Sequence, residues 1–237
     1  MDLLIYFILS IVISWAFTGI VLKVLIKKAI LDHPNERSSH SIATPRGGGW
    51  GIMMTLFVFI VFLAFYQFDI FKTFLPAFVP MVVLILISWL DDLKNLGTKV
   101  RFIVQFLCVI GSLSMMPYPE AGWLSFSLPS YIEYPLVVLG WVWFINLFNF
   151  MDGIDGISGV ETISIGTGML ALSLMTGTIA YELQLLSILI SGAALGFLKW
   201  NWHKAKVFMC DVGSIPIGFL LGWLLLQLAA QGFFIAA

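Results

Sequence analysis

TFLPAFVPMVVLILISWLDDLKNL, residues 73–96, decides the fold. Its first eighteen residues carry no charge, and eighteen uncharged apolar residues are enough to cross a bilayer as a helix. Asp91 and Asp92 then arrive side by side at the mouth of the run. The whole chain repeats this pattern. Of its 237 residues, 60% are hydrophobic and 11% charged, and the mean hydropathy is +1.02. A soluble domain could not keep its surface wettable with that composition. Apolar runs of bilayer length fall at Leu3–Leu22, Gly51–Phe68, Thr73–Leu90, Phe102–Met116, Tyr134–Phe148, Ile157–Thr176, Glu182–Leu198 and Ile215–Ala237. The fourth and fifth are short. The runs are continuous rather than alternating, which excludes a closed barrel. The expectation is one all-α polytopic membrane domain over residues 1–237, with about eight transmembrane helices and its working groups in loops.

Charge sets the orientation. Eleven of the twelve Lys and Arg fall in the first, third and seventh loops, which share a side if there are eight spans; Lys72 alone lies opposite. By the positive-inside rule that side is the cytoplasm. Net charge is −1, and nothing in the chain addresses nucleic acid. Leu3–Leu22 has no basic leader or small-residue cleavage site, so it reads as a retained helix. Cys108 and Cys210 have neither paired nor metal-ligand spacing. On the far side, Pro117–Glu133 is rich in Pro, Ser and aromatics and has room for a short hairpin or interfacial segment. Trp141 and Trp143 read as interfacial anchors.

Four polar islands mark the cytoplasmic side: DHPNERSSHSIATPRGGGWG (32–51), DDLKNLGTKVRF (91–102), NLFNFMDGIDGISG (146–159) and WNWHKAKVFMCDVGS (200–214). Taken singly, an aspartate here is a helix cap or solvated boundary, and Asp-Gly is a turn. Taken together, Asp91, Asp92, Asp152, Asp155 and Asp211 recur on one face of a charge-poor chain, beside glycine clusters and most of the cations. Oxygen ligands of this kind suit a hard divalent cation. Carboxylates, glycine-rich turns and cations on one face suggest metal-assisted phosphate chemistry. No Walker A motif is present.

The islands resemble those of the polyprenyl-phosphate N-acetylhexosamine-1-phosphate transferases, integral membrane enzymes of glycosyltransferase family 4. The first looks like that family's PN-R-SH…PRGGG loop and the second like its DD-x-x-x-L segment with a following basic residue. The third looks like N-x-x-N-F-M-D-G-x-D-G, and the fourth like W-N…A-K-V-F-M-G-D-V-G-S. The order is the same and the match covers most of the chain. The PRGGG loop points to the branch that starts O-antigen or related glycans in lipopolysaccharide and cell-wall biogenesis. The peptidoglycan branch, the phospho-N-acetylmuramoyl-pentapeptide transferases, has a TPTMGG-like loop instead.

The resemblance implies a bacterial inner (cytoplasmic) membrane enzyme with its active site facing the cytoplasm. It would transfer a sugar phosphate from a UDP-N-acetylhexosamine to undecaprenyl phosphate and release UMP. It implies magnesium as cofactor, with manganese as a substitute. Asp211 would bind the metal, with Asn149 as a carbonyl-oxygen ligand. Asp91, Asp92 and Asp211 would be catalytic, and one of the adjacent pair would accept the lipid phosphate's proton or help hold the metal. Asp152, Asp155, Asn201 and Phe208 would form the nucleotide pocket, with Phe208 stacked on uracil. Arg46, Lys99 and Arg101 would meet phosphates. Partners are then the UDP-sugar, undecaprenyl phosphate and the bilayer, with room for a homodimer. Two departures stand out: Cys210 replaces a usual Gly, and the chain stops at Ala237, where the family continues into further helices and a loop with His and Arg. The chain therefore reads as C-terminally shortened relative to the family, whether as fragment, active short form or non-catalytic relative. A rival of another class is an ion-coupled transporter, but that would place its carboxylates near the midplane rather than at span ends.

Overall fold

A computed structural model of the chain describes residues 3–32, 43–94, 96–120, 122–124 and 128–233. Eight helices follow one another: α1 (Leu3–Lys27), α2 (Gly49–Tyr66), α3 (Phe68–Lys94), α4 (Thr98–Ser114), α5 (Ser130–Met151), α6 (Ile157–Thr176), α7 (Tyr181–Asn201) and α8 (Asp211–Ala230). Among the described residues, seven helices are long and apolar enough to span a membrane; α4, at 17 residues, falls short of that measure. Lys99, Arg101 and Gln105 dilute its apolar character. The chain is an all-α, multi-pass membrane protein. The first loop adds a two-residue antiparallel ladder between β1 (Leu31–Asp32) and β2 (Thr44–Pro45), with Leu31 opposite Pro45.

Several boundaries differ from the sequence reading. The fifth helix is not short: α5 has 22 residues, beginning at Ser130 and running on through Pro135, which removes one i→i−4 hydrogen bond without ending the helix. Only Gln67 separates α2 from α3, so Lys72 lies one turn inside α3, where it pairs with Asp69. The described part of Pro117–Glu133 contains no strand, and its last residues belong to α5. The PN-R-SH part of the first island lies outside the described residues.

α7 and α8 are the central helices, buried on nearly every side. A helix apolar all round belongs either against lipid or, as here, inside the bundle. α1, α2 and α6 pack on α7, while α3 and α5 pack on α8. In lipid, helices gain little from simply hiding apolar surface, so close approach and polar contacts decide pairing. The α1–α7 pair shows both. Ser10 Oγ donates to Leu189 O at 2.7 Å and Ser14 Oγ to Ala193 O at 2.6 Å, one turn further on. The two helices therefore run parallel in constant register. Gly192 and Gly196 allow the approach: a Cβ on Gly196 would lie 2.3 Å from Ile11 O.

Trp141 is not an interfacial anchor. It is buried mid-bundle, stacks on Phe219 at 4.8 Å and donates its indole N–H to Phe219 O at 3.1 Å. The donor fixed on a backbone carbonyl is what makes a buried indole acceptable. Trp143, two residues on, points the other way and is exposed.

Candidate active site

The helices alternate in direction, so the ends of α1, α3, α5 and α7 and the starts of α2, α4, α6 and α8 gather at one end of the bundle. The described parts of all four islands are there. The first and last are bound directly to each other. Phe208 N–H donates to Pro45 O (2.9 Å), Gly47 and Gly48 N–H donate to Phe208 O (3.2 and 2.8 Å), and Gly49 N–H donates to Met209 O (3.1 Å). The PRGGG loop is thus laid strand-like along the segment that leads into α8. Glycine is required at Gly49, because a Cβ there would lie 2.4 Å from Gly213 Cα. Arg46 follows from this docking: its Nη2 donates to Asp92 O at 2.7 Å, closing an orphan carbonyl in the last turn of α3.

Within this frame the acidic residues converge on the N-terminus of α8. Arg101, from the first turn of α4, bridges two helices: its Nη1 donates to Asp91 Oδ2 (2.9 Å) and Asp211 Oδ2 (2.7 Å). Asp91 is buried, so its carboxylate needs that partner. Asp92 Oδ2 accepts from Val212 N–H at 3.2 Å, and Asp152 Oδ2 accepts from Cys210 N–H at 2.9 Å. Two carboxylates thus sit on backbone N–H groups at a helix start, where the dipole favours negative charge. Asn149 adjoins Asp211 and accepts a hydrogen bond from Ser214 Oγ through its Oδ1.

Burial, and secondarily the negative charges of Asp211 and Asp92, push the Asp152 carboxyl up to about 7. Burial also holds the Cys210 thiol well above its ordinary range, with the charges of Asp92 and Asp152 adding to the effect. Cys210 takes a positive φ of 61° just before α8, a conformation suited to the glycine expected there.

The arrangement brings Asp91, Asp92, Asp152, Asp211, Asn149, Arg101 and Arg46 together. Asp155 and Asn201 lie in an adjoining layer with structural partners. Asn201 is buried; its Oδ1 accepts from Gly156 N–H and its Nδ2 donates to Val207 O, both at 3.0 Å. It clasps the third island to the fourth. Asp155 Oδ2 accepts from Ala205 N–H (3.1 Å) and faces His203 Nδ1 (3.4 Å). Phe208 is half-buried in the docked segment. Lys99 is exposed in the first turn of α4 and bonds to no described residue. The sequence reading missed Ser214, although it lies within the fourth motif, and the backbone N–H groups of Cys210 and Val212, which carry no side-chain signal. It also missed the Gln105–Asn146 pair (2.7 Å), which joins α4 to α5 just beneath the cluster.

Among the described residues, no group of three or more His, Cys, Asp or Glu forms a ready metal cage. The donor set nevertheless fits a hard cation. Arg101 Nη1 already stands as one positive centre between two carboxylate oxygens, and magnesium typically takes one or two carboxylates and leaves its other positions to water and phosphate. Asp211, Asp91 and Asn149 could hold such an ion.

A multi-pass helical bundle with an acidic, arginine-bridged cluster at one end defines a membrane protein equipped for charged-group chemistry at the bilayer surface. The chain belongs to glycosyl transferase family 4, whose model matches residues 73–229. It is 31% identical over 219 residues to the probable undecaprenyl-phosphate N-acetylglucosaminyl 1-phosphate transferase of Bacillus subtilis, covering 90% of this chain and 59% of that protein. It is 31% identical over 210 residues to the undecaprenyl-phosphate alpha-N-acetylglucosaminyl 1-phosphate transferase of Thermotoga maritima, covering 87% and 60%. It is also 27% identical over 237 residues to the phospho-N-acetylmuramoyl-pentapeptide-transferase of Halalkalibacterium halodurans, covering 92% and 71%. The chain thus spans about three fifths of the length of the first two.

Proposed function

We propose that this chain transfers N-acetylhexosamine 1-phosphate from a UDP-sugar to undecaprenyl phosphate at the cytoplasmic face of the membrane, starting a lipid-linked envelope glycan. The observation that carries the reading is the meeting of Asp91, Asp92 and Asp211 with Arg101 at the end of the bundle. The names of the relatives favour N-acetylglucosamine as the sugar.

In this reaction an oxygen of the lipid phosphate attacks the sugar-linked phosphorus. The bond from that phosphorus to the UMP oxygen breaks, and one phosphoanhydride replaces another. The catalytic task is to bring two anions into line. Asp91 and Asp211 share the Arg101 guanidinium, in the place a cation would take, whereas the Asp92 carboxylate is held by one backbone N–H, so Asp92 is the group free to take the proton from the lipid phosphate. Arg101 and Arg46 supply positive charge beside it, and Lys99 can reach an arriving headgroup from the surface. Asp211 and Asn149, with Asp91 beside them, would hold magnesium or manganese, which when bound offsets phosphate charge. Asp152, Asp155 and Phe208 would border the nucleotide, and Asn201 would hold that border in place.

The test is UMP release by purified protein in detergent with undecaprenyl phosphate and magnesium. The donors are UDP-N-acetylglucosamine, other UDP-N-acetylhexosamines and UDP-N-acetylmuramoyl-pentapeptide. Lipid-dependent release with a UDP-N-acetylhexosamine, lost in Asp92→Asn and Asp211→Asn, is expected. Release only with the muramoyl donor would move the chain to the peptidoglycan reaction. No release from folded protein with any donor would overturn the proposal.

A further inference from the structure

The end of α7 and the loop after it carry a cationic feature that the acidic site does not use. A cavity of about 410 Å³ opens there, lined chiefly by Lys199, Lys204, Lys206, Trp200, Trp202 and Leu195. Among the described residues no carboxylate lines it. Among them, its titratable lining besides the lysines is His203, whose Nδ1 faces Asp155. One wall is rigid: the Trp200 indole N–H donates to Trp15 O at 3.0 Å, its ring stacks on Trp15, and Lys206 Nζ lies 5.7 Å from the ring centre. The other wall is Leu195, which is exposed on the membrane-spanning part of α7.

The cavity is thus apolar toward the membrane core and basic toward its end, with tryptophans at the junction. Exposed Trp202 marks the level where such rings rest among headgroups. Lysines just outside a span attract anionic lipid. A pocket for a soluble anion would not need a flank open to acyl chains. We propose that this cavity binds the headgroup of an anionic phospholipid, with the three lysines on the phosphate and an acyl chain along Leu195. The site shares no lining residue with the Asp91–Asp92–Asp211 cluster and does not depend on the proposed transfer reaction.

The experiment is native mass spectrometry of the detergent-purified full chain titrated with phosphatidylglycerol, phosphatidylcholine, inorganic phosphate or UMP. Phosphatidylglycerol should be retained at least tenfold more tightly than phosphatidylcholine. K199Q/K204Q/K206Q should lose that preference, and K199R/K204R/K206R should keep it. Equal retention of the two lipids, an undiminished preference in the glutamine variant, or displacement of phosphatidylglycerol by phosphate or UMP would each overturn the proposal. Should the glutamine variant not fold, competition on the unaltered chain decides. Against a tenfold excess of phosphatidylcholine, retention of half or more of the bound phosphatidylglycerol sustains the site, and retention of less than half overturns it.

Discussion

Arg101→Gln tests whether the guanidinium occupies a cation's seat. Its Nη1 lies 2.9 Å from Asp91 Oδ2 and 2.7 Å from Asp211 Oδ2, with the arginine side chain 30% exposed and the carboxylates 10% and 21%. A hydrogen bond between charged groups contributes about 1.5–3 kcal/mol. Discounted by roughly half for solvent screening of the partly exposed arginine, the two bonds together contribute about 1.5–3 kcal/mol. A divalent cation settling on the same oxygens must displace them. Glutamine removes the competitor and leaves two carboxylates short of positive charge. Manganese affinity, read by electron paramagnetic resonance, should therefore rise about ten- to a hundredfold, at about 1.4 kcal/mol per factor of ten. The metal-free variant should melt earlier than the parent, because Asp91 stays buried without its partner. Added magnesium should then raise its melting temperature more than the parent's, since a ligand of the folded state stabilises it by RT ln(1 + [L]/Kd), which grows as Kd falls. Transfer activity should still fall, because the guanidinium that would meet phosphate is gone. Unchanged or weaker manganese binding in Arg101→Gln would refute the shared seat, and with it the assignment of Asp91 and Asp211 to one ion.

Three further outcomes are expected. Gly196→Val should lower the melting temperature in detergent by an amount matching about 1–3 kcal/mol, because its first side-chain carbon meets Ile11 O and drives α1 off α7; unchanged melting would refute the close approach. Asp152 has a folded pKa of about 7, above the unfolded carboxylate value. The folded state therefore holds a proton that the unfolded state releases, and the parent should lose stability relative to Asp152→Asn as pH rises from about 4 to 7 in chelator. A parallel pH dependence of the two melting curves would contradict that environment. In a Cys108→Ala background, alkylation of Cys210 by iodoacetamide at pH 8, followed by mass spectrometry, should run at least tenfold slower than for a free thiol, since burial keeps the sulfur protonated; a free-thiol rate would show that the thiol is not enclosed.

The spans and the clustering of polar islands were legible because both are local: run length reports the bilayer, and the alternation of spans brings the odd-numbered loops to one end. What was not legible is pairwise. Nothing in the spacing of Asp91 and Asp211 says that one nitrogen of Arg101 touches both, because that contact depends on α3, α4 and α8 meeting at one end. Trp141 could be read as an anchor because hydropathy cannot tell a lipid-facing indole from one stacked on Phe219. The break at Gln67 was misplaced because Phe68 and its neighbours are apolar enough to extend either helix. The PRGGG loop could be matched as a motif, but its role of carrying Arg46 to the end of α3 required the docked backbone of Phe208 and Met209.

The same carboxylates that suit phosphate chemistry also hold the backbone together, and the two uses separate by atom. Asn201 spends both ends of its amide on Gly156 N–H and Val207 O. Asn201→Ala therefore leaves two buried backbone groups unpaired, at a cost of about 1–3 kcal/mol for each. Activity lost in that variant should be accompanied by lost stability. Asp92→Asn is different: the amide oxygen can still accept from Val212 N–H, so the geometry survives and only the charge and its proton affinity disappear. Its activity should fall with little change in melting temperature. If both variants lost stability equally, Asp92 would be a structural residue of the α8 start, and the base would have to be sought elsewhere in the cluster.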